Sequence, residues 1–423
     1  MSVQIDLRQM ILAIASAVDL VGVDDVLHGR RVAILAVQCA RELGLDQDVR
    51  NLLFNAGLLH DIGVSSTRVH RSIIDEADWE DSKIHSEQGS RLLAASPQLA
   101  VLAPIVLAHH THWDELQKRK IDPRLALYAN LVFLADRVDA EAAPHYADNS
   151  LLLHVEAICS RINRNRGGLF APEVVDAFLR AARAEAFWLI LDPMFIPQFV
   201  REMESYSDKQ EMELDDLKKF ASIIAEVVDA KSHFTYEHST GVARLARFIA
   251  EHFGVAGERL DLVEVAALMH DIGKLQIPDE VLESPHRLVR WEKAIMKRHS
   301  FATYQILNKV RGMEELARWA SQHHESLDGS GYPFRTIGAD LCLEARIIKV
   351  ADVYQALAQD RPYRKPLAPA GILSILRQMQ ARHKVDSLLV DFVAEHQDGC
   401  HRAALSLPAD EVLASSVYES VLQ

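Results

Sequence analysis

Thiol chemistry has little to work with in this chain. Its four cysteines, Cys39, Cys159, Cys342 and Cys400, stand far apart and form no CxxC pair. Neither a disulfide framework nor a thiolate zinc site is expected, and a reducing cytoplasm is the default compartment. Basic residues are also scarce, 46 Lys and Arg against 60 Asp and Glu, which leaves a net charge of −14. A field of that sign disfavours polymeric nucleic acid and leaves room only for small anions held by local cations or metals. No apolar run suits a bilayer, because the longest candidate, "AFWLILDPMFIPQFV", is broken by Asp192 and two prolines. The opening "MSVQIDLRQMILAIASAVDL" has no basic leading region and no small-residue cleavage site, so neither export nor membrane insertion is expected. Sustained alternation of polar and β-branched residues is missing as well, and the fold class expected is all-α.

What is present is helical periodicity. Val242, Leu245, Ala246 and Ile249 recur at the spacing of one helix face, and Val32, Leu35, Ala36 and Cys39 repeat the pattern earlier in the chain. Each stretch then meets a glycine, Gly44 or Gly254, where the left-handed turn after a helix favours that residue.

The two stretches lie 210 positions apart, and so do the pentapeptides "HDIGV" at 60–64 and "HDIGK" at 270–274. The pairs His28 and His238, His60 and His270, and Asp61 and Asp271 keep that spacing. His85 and His299, His109 and His323, and His110 and His324 are 214 apart, and Asp136 and Asp352 are 216 apart. A slow drift of this kind is expected of two copies of one domain with small loop differences. Copy one is placed at about 1–195 and copy two at about 222–423, with a charged, helix-prone stretch, 196–221, as a connecting helix.

Five imidazoles and two carboxylates without a thiolate suit borderline divalent metals such as Fe, Mn, Co, Ni and Zn. The set exceeds what one ion needs and fits two or three ions joined by a carboxylate. Asp271, adjacent to His270, is the natural bridge. A dinuclear centre of that kind supplies a hydroxide nucleophile at neutral pH and clamps a phosphoryl group for in-line displacement. Phosphoester hydrolysis is therefore the favoured chemistry.

The ordered set H…HD…H…HH…D resembles the HD-domain phosphohydrolase superfamily. Copy two goes further: "HDIGKLQIPDEVLESP", "HHESLDGSGYP" and "ADVYQALAQDRPYR" resemble the HD-GYP family of bacterial cyclic-dinucleotide phosphodiesterases over about 235–364. The resemblance implies that His238, His270, Asp271, His299, His323, His324 and Asp352 bind the metals. Lys274 would contact the scissile phosphate, and Gly329, Gly331, Tyr332 and Pro333 would form the loop at the site mouth. Arg361 and Arg364 match positions that hold the substrate phosphates, a task for which guanidinium is well suited. It also implies a cyclic-dinucleotide substrate opened to a linear 5′-phosphorylated product. Phe234 stands where some members carry an additional Glu ligand, so two metals per catalytic site are expected rather than three. Gln355 stands where the family commonly has Asp, and an amide near a base would change the hydrogen-bond pattern offered to guanine. Cyclic di-GMP and 3′3′-cyclic GMP-AMP are thus both candidate substrates.

Copy one keeps all seven ligand types, with Asp24 one turn before His28, but Val64 replaces the lysine and no GYP loop follows "HHTHWDEL". His145 and Asp148 stand at the places of the two arginines. A regulatory or scaffolding domain packed on copy two is the reading for this copy, ahead of an independent hydrolase for another phosphate substrate, and a protein partner or a homodimer is compatible with the chain. A catalytically silent cyclic-dinucleotide receptor and a nucleotide phosphohydrolase of the wider superfamily are the alternatives for the whole chain.

Overall fold

A computed structural model describes residues 5–19, 27–64, 82–206, 211–231, 237–284, 286–360 and 365–406. Phe234, Asp24, Arg361 and Arg364 lie outside the described residues. The chain divides into two compact units, one formed by Ile5–Met212 and the other by the residues from Glu213 onward. Both are helical. The strands among the described residues are the two-residue pair Ile5–Asp6 and Glu211–Met212, antiparallel within the N-terminal unit.

Each unit is built around a three-helix arrangement. In the N-terminal unit, helix His28–Glu42 packs against Gln47–Leu59 and Pro123–Ala142; in the C-terminal unit, His238–His252 packs against Glu258–Met269 and Leu343–Ala358. The face expected from periodicity is the buried one, since Val32, Leu35, Ala36 and Cys39, and likewise Val242, Leu245, Ala246 and Ile249, are at most 1% exposed. Burying a Val, Leu or Ile side chain contributes about 1.5–3 kcal/mol, so these faces fix how the helices dock. Both helices run into Gly44 and Gly254, at φ +69° and +82°.

The stretch 196–221 does not run as one connecting helix. Helix Ile196–Ser205 ends in the N-terminal unit, strand Glu211–Met212 follows, and helix Leu214–Ala230 starts the C-terminal unit. Charge and helix propensity favoured a continuous helix, but pairing of Met212 with Ile5 captures the middle of the segment.

The ligand-bearing helices are also held at their starts. Asp19 Oδ1 accepts the backbone N–H of Gly29 at 3.0 Å, and Asp229 Oδ2 accepts that of Ser239 at 3.0 Å. Orphan N–H groups in a helix's first turn need such acceptors. These carboxylates therefore seat the residues immediately after His28 and His238. Asp19 and Asp229 are themselves 210 apart, although neither stands in a motif that marks it.

Candidate metal centre

In the C-terminal unit, the seven histidine and aspartate side chains converge from five segments. His238 opens helix His238–His252, His270 ends helix Glu258–Met269, His299 lies in Arg298–Leu307, His323 and His324 follow Glu314–Ser321, and Asp352 lies in Leu343–Ala358. The glycine of "HDIG" explains how two of these segments meet. A Cβ on Gly273 would lie 2.0 Å from the backbone oxygen of His299, and one on Gly63 would lie 2.0 Å from that of His85. Only glycine allows the turn after His-Asp to lie against the next ligand helix.

The Asp271 carboxylate stands between two groups. Its Oδ2 is 3.1 Å from His270 Nε2 and 3.7 Å from His238 Nε2, while Oδ1 is 3.5 Å from His299 Nε2 and 3.7 Å from His323 Nε2. Asp352 Oδ1 joins the first group, 3.3 Å from His238 Nε2. His324 joins the second with His299 and His323, their ligating atoms lying within 4.8 Å of one another. The Nδ1 atoms of His270, His299 and His323 each lie 2.6–2.7 Å from the carbonyl three residues earlier, at Ala267, Met296 and Ala320. With Nδ1–H donating there, the Nε2 lone pairs turn inward.

This arrangement fits divalent cations. The Nε2 atoms of His238 and His270 and Oδ1 of Asp271 are buried without a hydrogen-bond partner, and an unmet buried polar atom costs about 1–3 kcal/mol. Burial holds the imidazoles of His299 and His323 neutral, down to about 4 and about 3, which keeps their lone pairs open. Burial alone would raise Asp271, yet its interactions with His270 and the Lys274 ammonium hold it well below the usual carboxylate range. Lys274 Nζ donates to Asp271 Oδ2. The ammonium therefore sits at the rim of the centre, with its side chain 16% exposed.

The GYP loop is fastened to the same segment. Glu325, fully buried directly after His323 and His324, accepts the backbone N–H groups of Phe334 at 2.6 Å and Arg335 at 3.0 Å through Oε1. A Cβ on Gly331 would meet Glu325 Cα at 2.4 Å. Tyr332 lies with its ring 4.8 Å from that of His324, and Lys297 Nζ sits 5.2 Å from the Tyr332 ring centre. Glu325 and Lys297 carry no sequence signal of their own. The glutamate stands inside "HHESLDGSGYP", where the glycines and the histidine pair form the recognisable pattern.

Gln355 is corrected by its burial. Expected near a substrate base, it is 1% exposed and fills the space above Gly241, where a Cβ would lie 2.2 Å from its amide nitrogen. The residue is one turn beyond Asp352, on the face that packs against the His238 helix.

The N-terminal unit reproduces the centre. His28 Nε2 is 3.3 Å from Asp136 Oδ1 and 3.8 Å from Asp61 Oδ2, His60 Nε2 is 3.3 Å from Asp61 Oδ2, and His85 Nε2 is 3.5 Å from Asp61 Oδ1. His109 and His110 complete a group with His85 and Asp61. The Nε2 atoms of His60, His85, His109 and His110 and Oδ1 of Asp136 are buried without partners, so this set also fits cations. Val64 is buried in the place of Lys274. A cation is present nonetheless: Arg137 pairs with Asp136 Oδ2 at 3.0 Å, where copy two has Val353.

Comparison with known proteins agrees with this duplication. Residues 26–141 match the HD domain model HD, and 222–389 match the HD domain model HD_5. The chain is 35% identical over 406 residues to 3′3′-cGAMP-specific phosphodiesterase 1 of Vibrio cholerae, covering 95% of this chain and 94% of that one. It is 37% identical over 195 residues to the cyclic di-GMP phosphodiesterase response regulator RpfG of Xanthomonas campestris, covering 45% of this chain and 50% of the relative. A crystal structure of a Vibrio cholerae cyclic GMP-AMP phosphodiesterase, V-cGAP3, shares the fold, with a TM-score of 0.64 at 22% identity over 96% of this chain and 99% of that one. Among the described residues, no helix is long and apolar enough to cross a membrane.

Proposed function

Because the chain belongs to the HD-GYP-type cyclic-dinucleotide phosphodiesterases, with two HD domains in tandem, we propose that its C-terminal unit hydrolyses 3′3′-cyclic GMP-AMP in preference to cyclic di-GMP, giving a linear 5′-phosphorylated dinucleotide. The observation that carries the chemistry is the Asp271 carboxylate set between two histidine groups. The similarity over 406 residues to a relative named for 3′3′-cGAMP supports the choice of substrate.

His238, His270, Asp352 and Asp271 Oδ2 would hold one ion, and His299, His323, His324 and Asp271 Oδ1 a second. Fe and Mn are the first choices, with Ni, Co and Zn also compatible with this donor set. Divalent ions in such a pair supply Lewis-acid stabilisation of phosphoryl charge and lower the pKa of water. Asp271 keeps the two groups in register with one oxygen toward each. Lys274 places its ammonium beside Asp271, where it can pair with a phosphoryl oxygen as negative charge grows there. Glu325 holds the loop in place, so that Tyr332 and Pro333 wall the mouth without having to be ordered by substrate. Arg361 and Arg364 would take the second phosphate. The N-terminal unit, which lacks the lysine and the loop, serves as a regulatory or scaffolding domain with ions of its own.

Offering cyclic GMP-AMP, cyclic di-GMP and cyclic di-AMP side by side to Mn-loaded protein, with chromatographic product analysis, tests the reading. Faster linearisation of cyclic GMP-AMP is expected. Tight binding of all three without turnover would leave a receptor instead of an enzyme.

A further inference from the structure

The two centres have matching ligands but different supports behind them. In the N-terminal unit, His28 Nδ1 lies 2.8 Å from Asp139 Oδ2. The other oxygen of Asp139 accepts from Arg31 Nε at 2.7 Å and from the Tyr146 hydroxyl at 2.6 Å. The Arg31 guanidinium in turn lies 4.4 Å from the centre of the Tyr146 ring. Asp139 is completely buried and Arg31 nearly so. The result is a buried, charged assembly behind one imidazole.

In the C-terminal unit two members of that assembly are exchanged. At the place of Asp139, three residues beyond the last aspartate ligand, stands Gln355; at the place of Arg31, three residues beyond the first histidine, stands Gly241. The two exchanges are sterically linked, because the Gln355 side chain occupies the space that a side chain at position 241 would need. Gln355 Oε1 is buried without a hydrogen-bond partner, and His238 Nδ1 turns to Gln359 Oε1 at 3.2 Å. A neutral amide thus does for His238 what a carboxylate does for His28.

We infer that Asp139 is a positioning residue for the N-terminal metal centre, and that through it this centre holds its ions more tightly than the catalytic centre does. The inference rests on the reading that both HD units bind ions. An outer carboxylate fixes the tautomer and ring orientation of a ligating histidine and raises its basicity, and loss of such a partner typically costs 10–100-fold in metal affinity. Asp139 does not swing away freely, since Arg31 and Tyr146 hold its second oxygen. The catalytic site then exchanges its ions while the N-terminal site keeps them, in accord with a structural or regulatory role for copy one.

The test is metal release from the full-length, Mn-loaded protein into a chelator, followed by elemental analysis. Two classes of ion are expected, with the slow class lost in Asp61→Ala and the fast class lost in Asp271→Ala. The paired change Arg31→Gly with Asp139→Gln removes the carboxylate behind His28 together with the guanidinium that holds it. It should speed release of the slow class roughly 10–100-fold at unchanged helical circular dichroism, and Tyr146→Phe should produce a smaller shift in the same direction. Metal content unchanged by Asp61→Ala would defeat the reading that copy one binds ions. Loss of ions in Asp61→Ala, but equal release rates for the wild type and the paired variant, would overturn the role of Asp139 alone. A slow class that maps to Asp271 would overturn the order of affinities.

Discussion

A Cβ on Gly273 would stand 2.0 Å from the carbonyl oxygen of His299. That contact joins the turn after His270 and Asp271 to the helix that carries the next ligand, so Gly273→Ala must push the two apart. The expected outcome is loss of the second histidine group as a binding site, read as about half the ions of the catalytic centre by elemental analysis, with hydrolysis reduced more than the ~100-fold upper range for an outer-partner change. Full metal occupancy in Gly273→Ala would contradict the packing argument.

Glu325 is the corresponding anchor for the GYP loop. Glu325→Gln keeps the shape but replaces a charged acceptor of two backbone N–H groups by a neutral one. Hydrogen bonds to charged groups are worth about 1.5–3 kcal/mol, so unfolding stability should fall by roughly that amount or less. KM for the cyclic dinucleotide should rise more than kcat falls, because the loop shapes the mouth. Steady-state kinetics with a parallel denaturant titration separate the two effects.

His299 supplies a pH dependence. Burial depresses its folded-state value to about 4, against about 6.5 in the unfolded chain. Between those limits the unfolded state binds the extra proton, so this group's contribution to stability is intact above pH 6.5 and is lost as pH falls toward 4. In metal-free protein, the stability difference between the wild type and His299→Asn should therefore be flat above pH 6.5 and shrink below it. A difference that grows on acidification would contradict the assigned burial effect.

Much of this molecule is written in spacing. The seven-residue sets, their helices and the glycines that end the first ligand helix could be read because identical residues recur at nearly constant offsets. The adjacency of Asp271 to His270 pointed to a carboxylate facing more than one histidine, and its two oxygens lie toward different histidine groups. Supports contributed by distant segments were not legible in the same way. Gln355 read as a substrate contact because it replaces an acidic residue in a motif, whereas its burial depends on the absent side chain at Gly241, far away in sequence. Asp139 carried no signal of its own, since its meaning comes from His28, Arg31 and Tyr146 meeting in the fold. The expected linker helix failed for a related reason: local propensity is outweighed by a two-residue strand pairing with the other end of the N-terminal unit.

The assignment of catalysis to the C-terminal centre is tested by comparing Asp271→Ala with Asp61→Ala for formation of linear product from cyclic GMP-AMP by Mn-loaded protein. The two aspartates occupy equivalent places in duplicated centres, so general damage to an HD fold should affect both alike. Asp271→Ala should lose hydrolysis by at least ~100-fold, beyond what loss of an outer partner causes, while Asp61→Ala keeps most of it. Hydrolysis that survives in Asp271→Ala, or that vanishes in Asp61→Ala alone, would contradict that assignment.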